Sequence, residues 1–320
     1  METLDKSSVS TPSEKKPSIF TNPIVMTLCA LLCCALWGSA TPFIKTGYEL
    51  LMPEKNVSST ILFAGIRFTL AGIFTVLIYS IARRKLLYPS LKNMPKVLTV
   101  SAFQTVTQYI FFYVGLQLTT GVKGTIASGT SAFFSVLVAS LIFKQEKLGA
   151  KKIIACVLGF AGIVVINLDG LSFTMNLGDF FVICSAICLA VSSVLIKKFS
   201  KYEDPVVISG YQFVIGGAFL VVLGLILGGE LTFDSFPGVL VLIYLSLLSA
   251  VAYALWGMLL KFNPVSKVSV FSFTTPIFGT LLSMLMLTES SGVKLLNLII
   301  TLLLVSGGIL LLNYQKQNKA

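Results

Sequence analysis

The feature that most constrains the fold is a series of ten apolar runs, each about 17–23 residues long. A run of this length crosses the roughly 30 Å hydrocarbon core of a bilayer as an α-helix. Because lipid cannot pair backbone N–H and C=O groups, spans of this kind must satisfy them internally. The sequence therefore predicts an all-α polytopic membrane protein with ten transmembrane helices, at 24–44, 60–82, 97–118, 124–143, 152–168, 179–196, 206–228, 238–260, 267–287 and 295–313.

The charge distribution predicts the orientation of these helices. The net charge of +11 could indicate a nucleic-acid partner, but the basic residues follow the loops. About 19 Lys and Arg lie in the alternate loops that include both termini, and about four lie in the opposite set, namely Lys45, Lys55, Lys123 and Lys294. This positive-inside bias places both termini in the cytoplasm, in a multi-pass protein of the cytoplasmic (plasma) membrane. It excludes a nucleic-acid role.

The two halves of the chain repeat each other. Residues 130–151 read TSAFFSVLVASLIFKQEKLGAK, and residues 273–294 read FTTPIFGTLLSMLMLTESSGVK. A constant offset of 143 (276 − 133 and 289 − 146) places Phe133 on Pro276 and Glu146 on Glu289. Self-similarity at a fixed offset indicates an internal duplication. The predicted organisation is a disordered cytoplasmic tail at 1–22, repeats at 23–168 and 169–314, and a short cytoplasmic tail at 315–320.

Five spans per repeat have a further consequence. An odd number makes the second copy insert with the opposite orientation to the first. Inverted repeats place a pseudo-twofold axis in the membrane plane and a substrate site near the midplane. The duplication therefore favours a secondary transporter that works by alternating access.

Several short segments resemble the drug/metabolite transporter superfamily, EamA type. They are LWGSATPFIK at 36–45, AGIRF with Arg67 and Phe68, and a second-repeat segment that includes Pro276 and Glu289. Phe133 stands where the family often has proline, so a kink is not expected there. The resemblance covers about residues 25–313. It implies an exporter or exchanger of small organic metabolites, often amino acids or related compounds, without fixing the substrate.

Other classes of protein remain as alternatives. A channel-like facilitator or a membrane receptor comes first, and a membrane-embedded enzyme second. The chain has no histidine, no Walker A lysine loop and no paired-carboxylate or Ser/His/Asp pattern, so we expect no catalytic residue, no cofactor and no metal. The six cysteines all lie in apolar runs, where a packing role is typical. The expected partners are a small-molecule substrate and membrane lipids, with a homodimer as a further expectation.

The candidate binding residues are neutral polar and aromatic side chains on helices that the family fold places around a central cavity. Such a cavity suits amphipathic small molecules. Membrane Ser and Thr also bond to their own helix or to neighbours, and that reading stays open for each. The residues are Trp37, Thr41, Gln104, Gln108, Ser128, Ser192, Tyr253, Trp256 and Thr274.

Charged residues support two further expectations. Arg67 is a charge well inside a span, and capping of neighbouring helix carbonyls is favoured over binding of a substrate carboxylate. The acidic residues all lie outside the predicted spans or at their ends, so transport coupled to a titrating acid is not expected. Glu146 and Lys151, like Glu289 and Lys294, form an E-x4-K pattern in a helical hairpin. An exposed ion pair is favoured there over a gate latch.

Overall fold

The structure is a computed structural model that describes residues 18–119, 121–168, 174–286 and 294–313. Over these residues it is entirely helical. The helices are α1 Pro23–Leu51, α2 Val57–Ala82, α3 Leu91–Leu118, α4 Lys123–Ile142, α5 Ala150–Ile166, α6 Leu177–Phe199, α7 Pro205–Ile226, α8 Phe236–Phe262, α9 Val265–Leu282 and α10 Leu295–Asn313. Within the described ranges, all except α5 are long and apolar enough to cross a membrane. With 17 residues, α5 is at the short end of the spanning range.

The predicted all-α membrane fold is confirmed, because each apolar run coincides with a helix. The largest difference is in α1, which continues to Leu51 although its apolar run ends at residue 44. The extra turns carry Lys45 and Glu49, both exposed, so hydropathy alone ends the span too early. The predicted tail also differs, since Ile19–Thr21 forms a 3₁₀ turn whose Phe20 carbonyl accepts from Asn263 Nδ2 at 2.9 Å. Glu289, residues 1–17 and the 315–320 tail lie outside the described residues.

The helix starts follow from local sequence. Asn22 precedes Pro23 and its side chain accepts from the backbone N–H groups of Ile24 and Val25, which begins α1. At α6, Asn176 and Asp179 form a reciprocal capping box. Asn and Asp at these positions pair backbone donors that a helix start otherwise leaves unsatisfied.

Three spans depart from regular α-helical geometry over part of their length. In α3, Ala102–Thr107 is π-helical, and in α4 the last turn, Val138–Ile142, is also π-helical. In α9, Val270–Thr274 is a 3₁₀ turn that ends two residues before Pro276. Regular helix follows as Thr275–Met286, so it extends beyond the spanning segment that ends at Leu282. A proline lacks the N–H of a regular turn and crowds the preceding one, which explains the break. No comparable break occurs at Pro42, which lies inside the continuous helix α1.

Helix packing relates the two halves. The main pairs are α2 with α7, α5 with α10, α1 with α8 and α9, and α6 with α3 and α4. Exchanging α1–α5 for α6–α10 returns the same set of pairs. The α2–α7 contact is close because Gly65, Gly72 and Gly217 leave no room for a side chain: a Cβ on Gly217 would lie 2.4 Å from the Thr69 nitrogen.

Side-chain contacts define two ends of the bundle. The basic end contains the start of α1, the α2–α3, α4–α5, α6–α7 and α8–α9 connections and the end of α10. There Arg83 Nη1 lies 2.8 Å from Asp204 Oδ2. The far end contains the remaining connections, where the Thr232 N–H donates to the Leu51 carbonyl at 2.9 Å.

Candidate substrate-binding site

Aromatic rings from both halves of the chain meet in the middle of the bundle. Trp37 is the central residue of α1, and its ring packs edge-on against Tyr253 and Trp256 of α8, with centroid distances of 5.1 and 5.0 Å. Tyr253 and Trp256 are three residues apart, so one face of α8 presents both. These three predicted site residues are therefore in direct contact.

Tyr109 of α3 completes this aromatic floor, and the sequence analysis missed it. Its hydroxyl lies 3.0 Å from the Tyr253 hydroxyl. Its ring packs on Phe68 of α2 at 4.4 Å, and Phe68 stacks on Phe213 of α7 at 5.0 Å. Tyr109 and Tyr253 are 144 positions apart, close to the repeat offset of the sequence. Tyr109 and Tyr253 thus lie at nearly corresponding positions of the two halves.

Gln104 and Gln108 are buried on α3, with 2% and 6% of their surface exposed. Neither Oε1 atom has a hydrogen-bond partner within the described residues. Gln104 lies in the π-helical segment, a helix variant that is frequent at functional sites. A buried amide oxygen without a partner is costly in a membrane interior, so both side chains are fit to receive a hydrogen-bond donor from a ligand.

The threonines of α9 and α1 are arranged differently from the prediction. The Thr274 hydroxyl donates to the Phe271 carbonyl at 2.7 Å, whereas the buried Thr275 hydroxyl has no partner in the described part of the chain. Thr275 is therefore the freer group of the pair. Thr41 is exposed, one turn from Trp37 on α1. Trp37 Nε1 is likewise buried and unpaired among the described residues.

Two predicted site residues are not drawn into the aromatic floor. Ser192 of α6 is buried and donates to the Leu189 carbonyl of its own helix at 2.8 Å. Ser128 is half-buried on α4. No described contact joins either serine to Trp37.

Arg67 lies beside the floor, about 15 Å along α2 from its start at 1.5 Å per residue. It is 4% exposed, its Nη2 donates to Ser249 Oγ at 3.0 Å, and its guanidinium lies 5.0 Å from the centroid of the Phe68 ring. The expected capping of helix carbonyls is not seen, since no main-chain oxygen of the described residues accepts from Arg67. The guanidinium lies instead beside the aromatic floor, since the Phe68 ring that it contacts packs on Tyr109 at 4.4 Å.

The basic end is closed by contacts between the halves. Glu146 accepts from Ser266 Oγ at 2.5 Å and from Lys152 Nζ at 2.7 Å. The predicted exposed pair with Lys151 is wrong: Lys151 is exposed, and the Glu146 side chain is only 7% exposed. The difference arises because α5 begins at Ala150, which places Lys152 on the side of the helix toward Glu146. Glu289, its counterpart, lies outside the described residues.

Glu146, which lies in the α4–α5 connection, has a shifted pKa at this closure. Burial raises the pKa of its carboxyl, but hydrogen bonds from Lys152 and Ser266 and the charge of Lys152 outweigh burial. The net result is a pKa below the ordinary value of 4.5. The carboxylate is therefore ionised at neutral pH and holds the start of α9.

A second contact closes the same end. Lys197, near the end of α6, donates to the Leu260 carbonyl at 3.1 Å and to the Asn263 carbonyl. These oxygens belong to the last turn of α8 and the residue that follows it. A cation at a helix C-terminus complements the helix dipole, so Lys197 ties α6 to α8.

Over the described residues, ten largely apolar helices with unpaired polar groups in their middle are the architecture of a polytopic membrane protein. The comparison with known families specifies which one. The chain belongs to the EamA-like transporter family, whose model matches residues 24–168 and again residues 176–314. The resemblance noted from the sequence is confirmed, and with it the membrane-transporter character of the chain.

Individual relatives are more distant. An uncharacterized transporter of Archaeoglobus fulgidus is 25% identical over 81% of this chain and 88% of its own length. The uncharacterized transporter YvbV of Bacillus subtilis is 28% identical over 87% of this chain and 88% of its own length. The chloroplastic WAT1-related protein At3g02690 of Arabidopsis thaliana is 28% identical over 65% of this chain, and the match spans about half, 52%, of that protein.

A solved crystal structure has the same fold. It matches with a TM-score of 0.73 at 20% sequence identity, over 89% of this chain and 95% of the other. Likeness at this identity establishes the architecture alone.

Proposed function

We propose that this protein is a secondary transporter that exports or exchanges a small organic metabolite by alternating access. One observation carries the proposal: the aromatic floor of Trp37, Tyr109, Tyr253 and Trp256 joins both halves mid-bundle. Unpaired polar atoms of Gln104, Gln108 and Thr275 lie on the helices around it. Aromatic walls with a few polar groups suit an amphipathic molecule of metabolite size, an amino acid for example.

The state of the two ends supports alternating access. Glu146 and Lys197 close the basic end. There α6 packs against α8, whereas α1 and α3, the corresponding pair, make no extended contact within the described residues. The two halves thus differ in conformation around one shared site. An exchange of these two arrangements, in repeats of inverted orientation, would present the aromatic floor to the opposite face of the membrane.

Counterflow tests the proposal. Purified protein is reconstituted into vesicles loaded with a mixture of amino acids, purines or organic acids, and uptake of each labelled compound is followed. A transporter gives saturable uptake that is stimulated by the same compound on the other side. Linear flux up to high concentration, without counterflow, would support the channel alternative instead.

Orientation is part of the proposal. The basic end carries most of the Lys and Arg, so we place it and both termini in the cytoplasm of a plasma membrane. Lys201 at the basic end and Asp234 at the far end are both exposed. Each is replaced by cysteine in a variant that has no other cysteine. We expect an impermeant maleimide added to intact cells to label position 234 and not position 201. The reverse pattern would overturn the orientation.

A further inference from the structure

Arg67 is a buried cation without a counter-charge among the residues that the structure describes. The ion pairs among the described residues, Arg83–Asp204, Lys123–Asp179 and Lys152–Glu146, all lie at the ends of the bundle. Every other charged side chain that the structure describes on the ten helices lies within about two turns of a helix end. A buried charge is unfavourable unless it is paired. The described residues in the middle of the bundle therefore supply no negative charge to pair with Arg67.

The hydrogen bonds of Arg67 leave most of its donors free. A guanidinium has five N–H donors in a planar fork. One bond is made, from Nη2 to Ser249 Oγ, and that hydroxyl itself donates to the Leu245 carbonyl at 2.9 Å. Nε is buried and has no partner within the described residues. The free donors are of the kind that binds a carboxylate through two parallel bonds.

The surroundings of Arg67 also favour an anion. The Arg67 guanidinium lies 5.0 Å from the centroid of the Phe68 ring, and that ring packs on Tyr109 at 4.4 Å. Phenol hydroxyls can donate to an anionic oxygen as well as accept. Tyr109 and Tyr253 belong to the aromatic floor, so an anion at Arg67 would be attached to a molecule lying over Trp37.

We propose that Arg67 binds a carboxylate of the transported molecule, whose remaining part packs on the floor formed by Trp37, Tyr109, Tyr253 and Trp256. The substrate class is then a small organic monocarboxylate or amino acid. One cation in the middle of the described helices matches one carboxylate better than a doubly charged phosphate ester. This inference rests on the proposed function, because it assigns the substrate class of the same site.

The chain contains its own reporter for the test. Its only two tryptophans are Trp37 and Trp256, and their rings are in contact. Intrinsic tryptophan fluorescence of the purified protein therefore reports on this site. The titrants are matched pairs of nearly equal shape in which an amide replaces the carboxylate and removes its negative charge: leucine and leucinamide, and 3-methylbutanoate and its amide. We expect a saturable fluorescence change with the acids and at least tenfold weaker binding of the amides.

Variants separate the site charge from charge in general. Arg67→Gln is expected to weaken binding of the acids at least tenfold and to leave the amides unchanged. Arg83→Gln removes an arginine that is paired with Asp204 at the basic end, so it is the matched control and should bind like the wild type. If Arg67→Gln does not fold, Arg67→Lys retains the charge without the fork, and weaker but still acid-selective binding is expected.

Three results would overturn the assignment. They are equal binding of acids and amides by the wild type, retained acid preference in a folded Arg67→Gln variant, and no saturable response to any carboxylate. Counterflow measurements distinguish a failure of the carboxylate-site proposal from a failure of the transport proposal. Equal counterflow of acids and amides would leave a transporter without the carboxylate site. Acid-selective binding without any counterflow would leave the carboxylate site and remove the transport proposal.

Discussion

Single residues in the middle of the bundle differ in whether their amide oxygen is paired. Gln108 is buried with an unpaired Oε1, whereas the Oε1 of buried Gln212 accepts from Thr105 Oγ1 at 2.6 Å, although its Nε2 has no partner among the described residues. Glutamine side chains therefore have two different environments, one on α3 and one on α7. Only the Gln212 oxygen has a partner that the described part of the protein itself supplies.

The contrast gives a prediction for Gln108. We expect Gln108→Met to retain the melting temperature in detergent, because an unpaired buried acceptor is removed, and to reduce counterflow by several-fold. The matched change Gln212→Met should destabilise the protein by about 1–3 kcal/mol, since it leaves Thr105 without its acceptor. Thermal unfolding and counterflow are measured on both. A lower melting temperature with normal counterflow in Gln108→Met would make Gln108 structural.

At this scale the sequence predicted contacts between rings better than it predicted free polar atoms. Trp37, Tyr253 and Trp256 could be chosen because their spacing places them on single helix faces. Tyr109 could not, because it lies in the aromatic stretch QYIFFY, where periodicity does not say which ring faces inward. Sequence also could not separate Thr274 from the freer Thr275, because the hydroxyl of Thr274 bonds to the Phe271 carbonyl within a 3₁₀ turn that periodicity does not predict.

Among the helices, the α2–α7 pair depends on glycine. A Cβ on Gly217 would meet the Thr69 backbone nitrogen at 2.4 Å, whereas a Cβ on Gly307 of α10 would meet nothing within 4 Å. We expect Gly217→Ala to lower stability by about 1–3 kcal/mol through overpacking. Gly307→Ala, the matched control, should leave stability equal or slightly raised, since alanine favours helix. Thermal unfolding in detergent compares the two, and equal melting temperatures would contradict the close contact.

The connection between α4 and α5 gives a prediction about closure of the basic end. Cys34 is buried on α1, between Trp37 and the basic end, with its thiol 3.2 Å from the Phe271 carbonyl. In a variant that retains only this cysteine, we expect Glu146→Gln to increase the rate of maleimide labelling several-fold, because Ser266 and Lys152 lose their ionised partner. Lys151→Met is the control and should not change the rate. Equal rates in all three proteins would show that Glu146 does not hold the end closed.

The pKa of Glu146 also fixes the sign of a pH effect. Its folded-state pKa is lowered below 4.5, so the ionised carboxylate stabilises the closed end above that pH. This contribution is lost as the pH falls through the folded-state pKa. The difference in melting temperature between wild type and Glu146→Gln should therefore be present at neutral pH and narrow below about pH 4.5. A difference that widens in acid would contradict the assignment.

In the whole molecule, the contacts of two lysines distinguish the halves. Lys45 lies in the second half of α1 and Lys197 near the end of α6, the corresponding helix, and each follows an isoleucine. Lys197 binds carbonyls at the end of α8. Lys45 is exposed and bonds to no residue that the structure describes. If the halves exchange conformations, Lys45 would bind the end of α3 when the far end closes and Lys197 is released.

This exchange predicts opposite effects of two similar substitutions. Lys197→Met removes a contact of the present conformation, so we expect faster labelling of Cys34 as the basic end opens more often. Lys45→Met removes a contact of the alternative conformation, so labelling should become slower than in the wild type. The effect of each substitution depends on how differently the lysine stabilises the two conformations. A group that stabilises both equally does not change their populations. Single-cysteine labelling in vesicles measures both rates. Shifts in the same direction would exclude an exchange of corresponding contacts, because the lysines would then act through net charge and not through the state that each one stabilises.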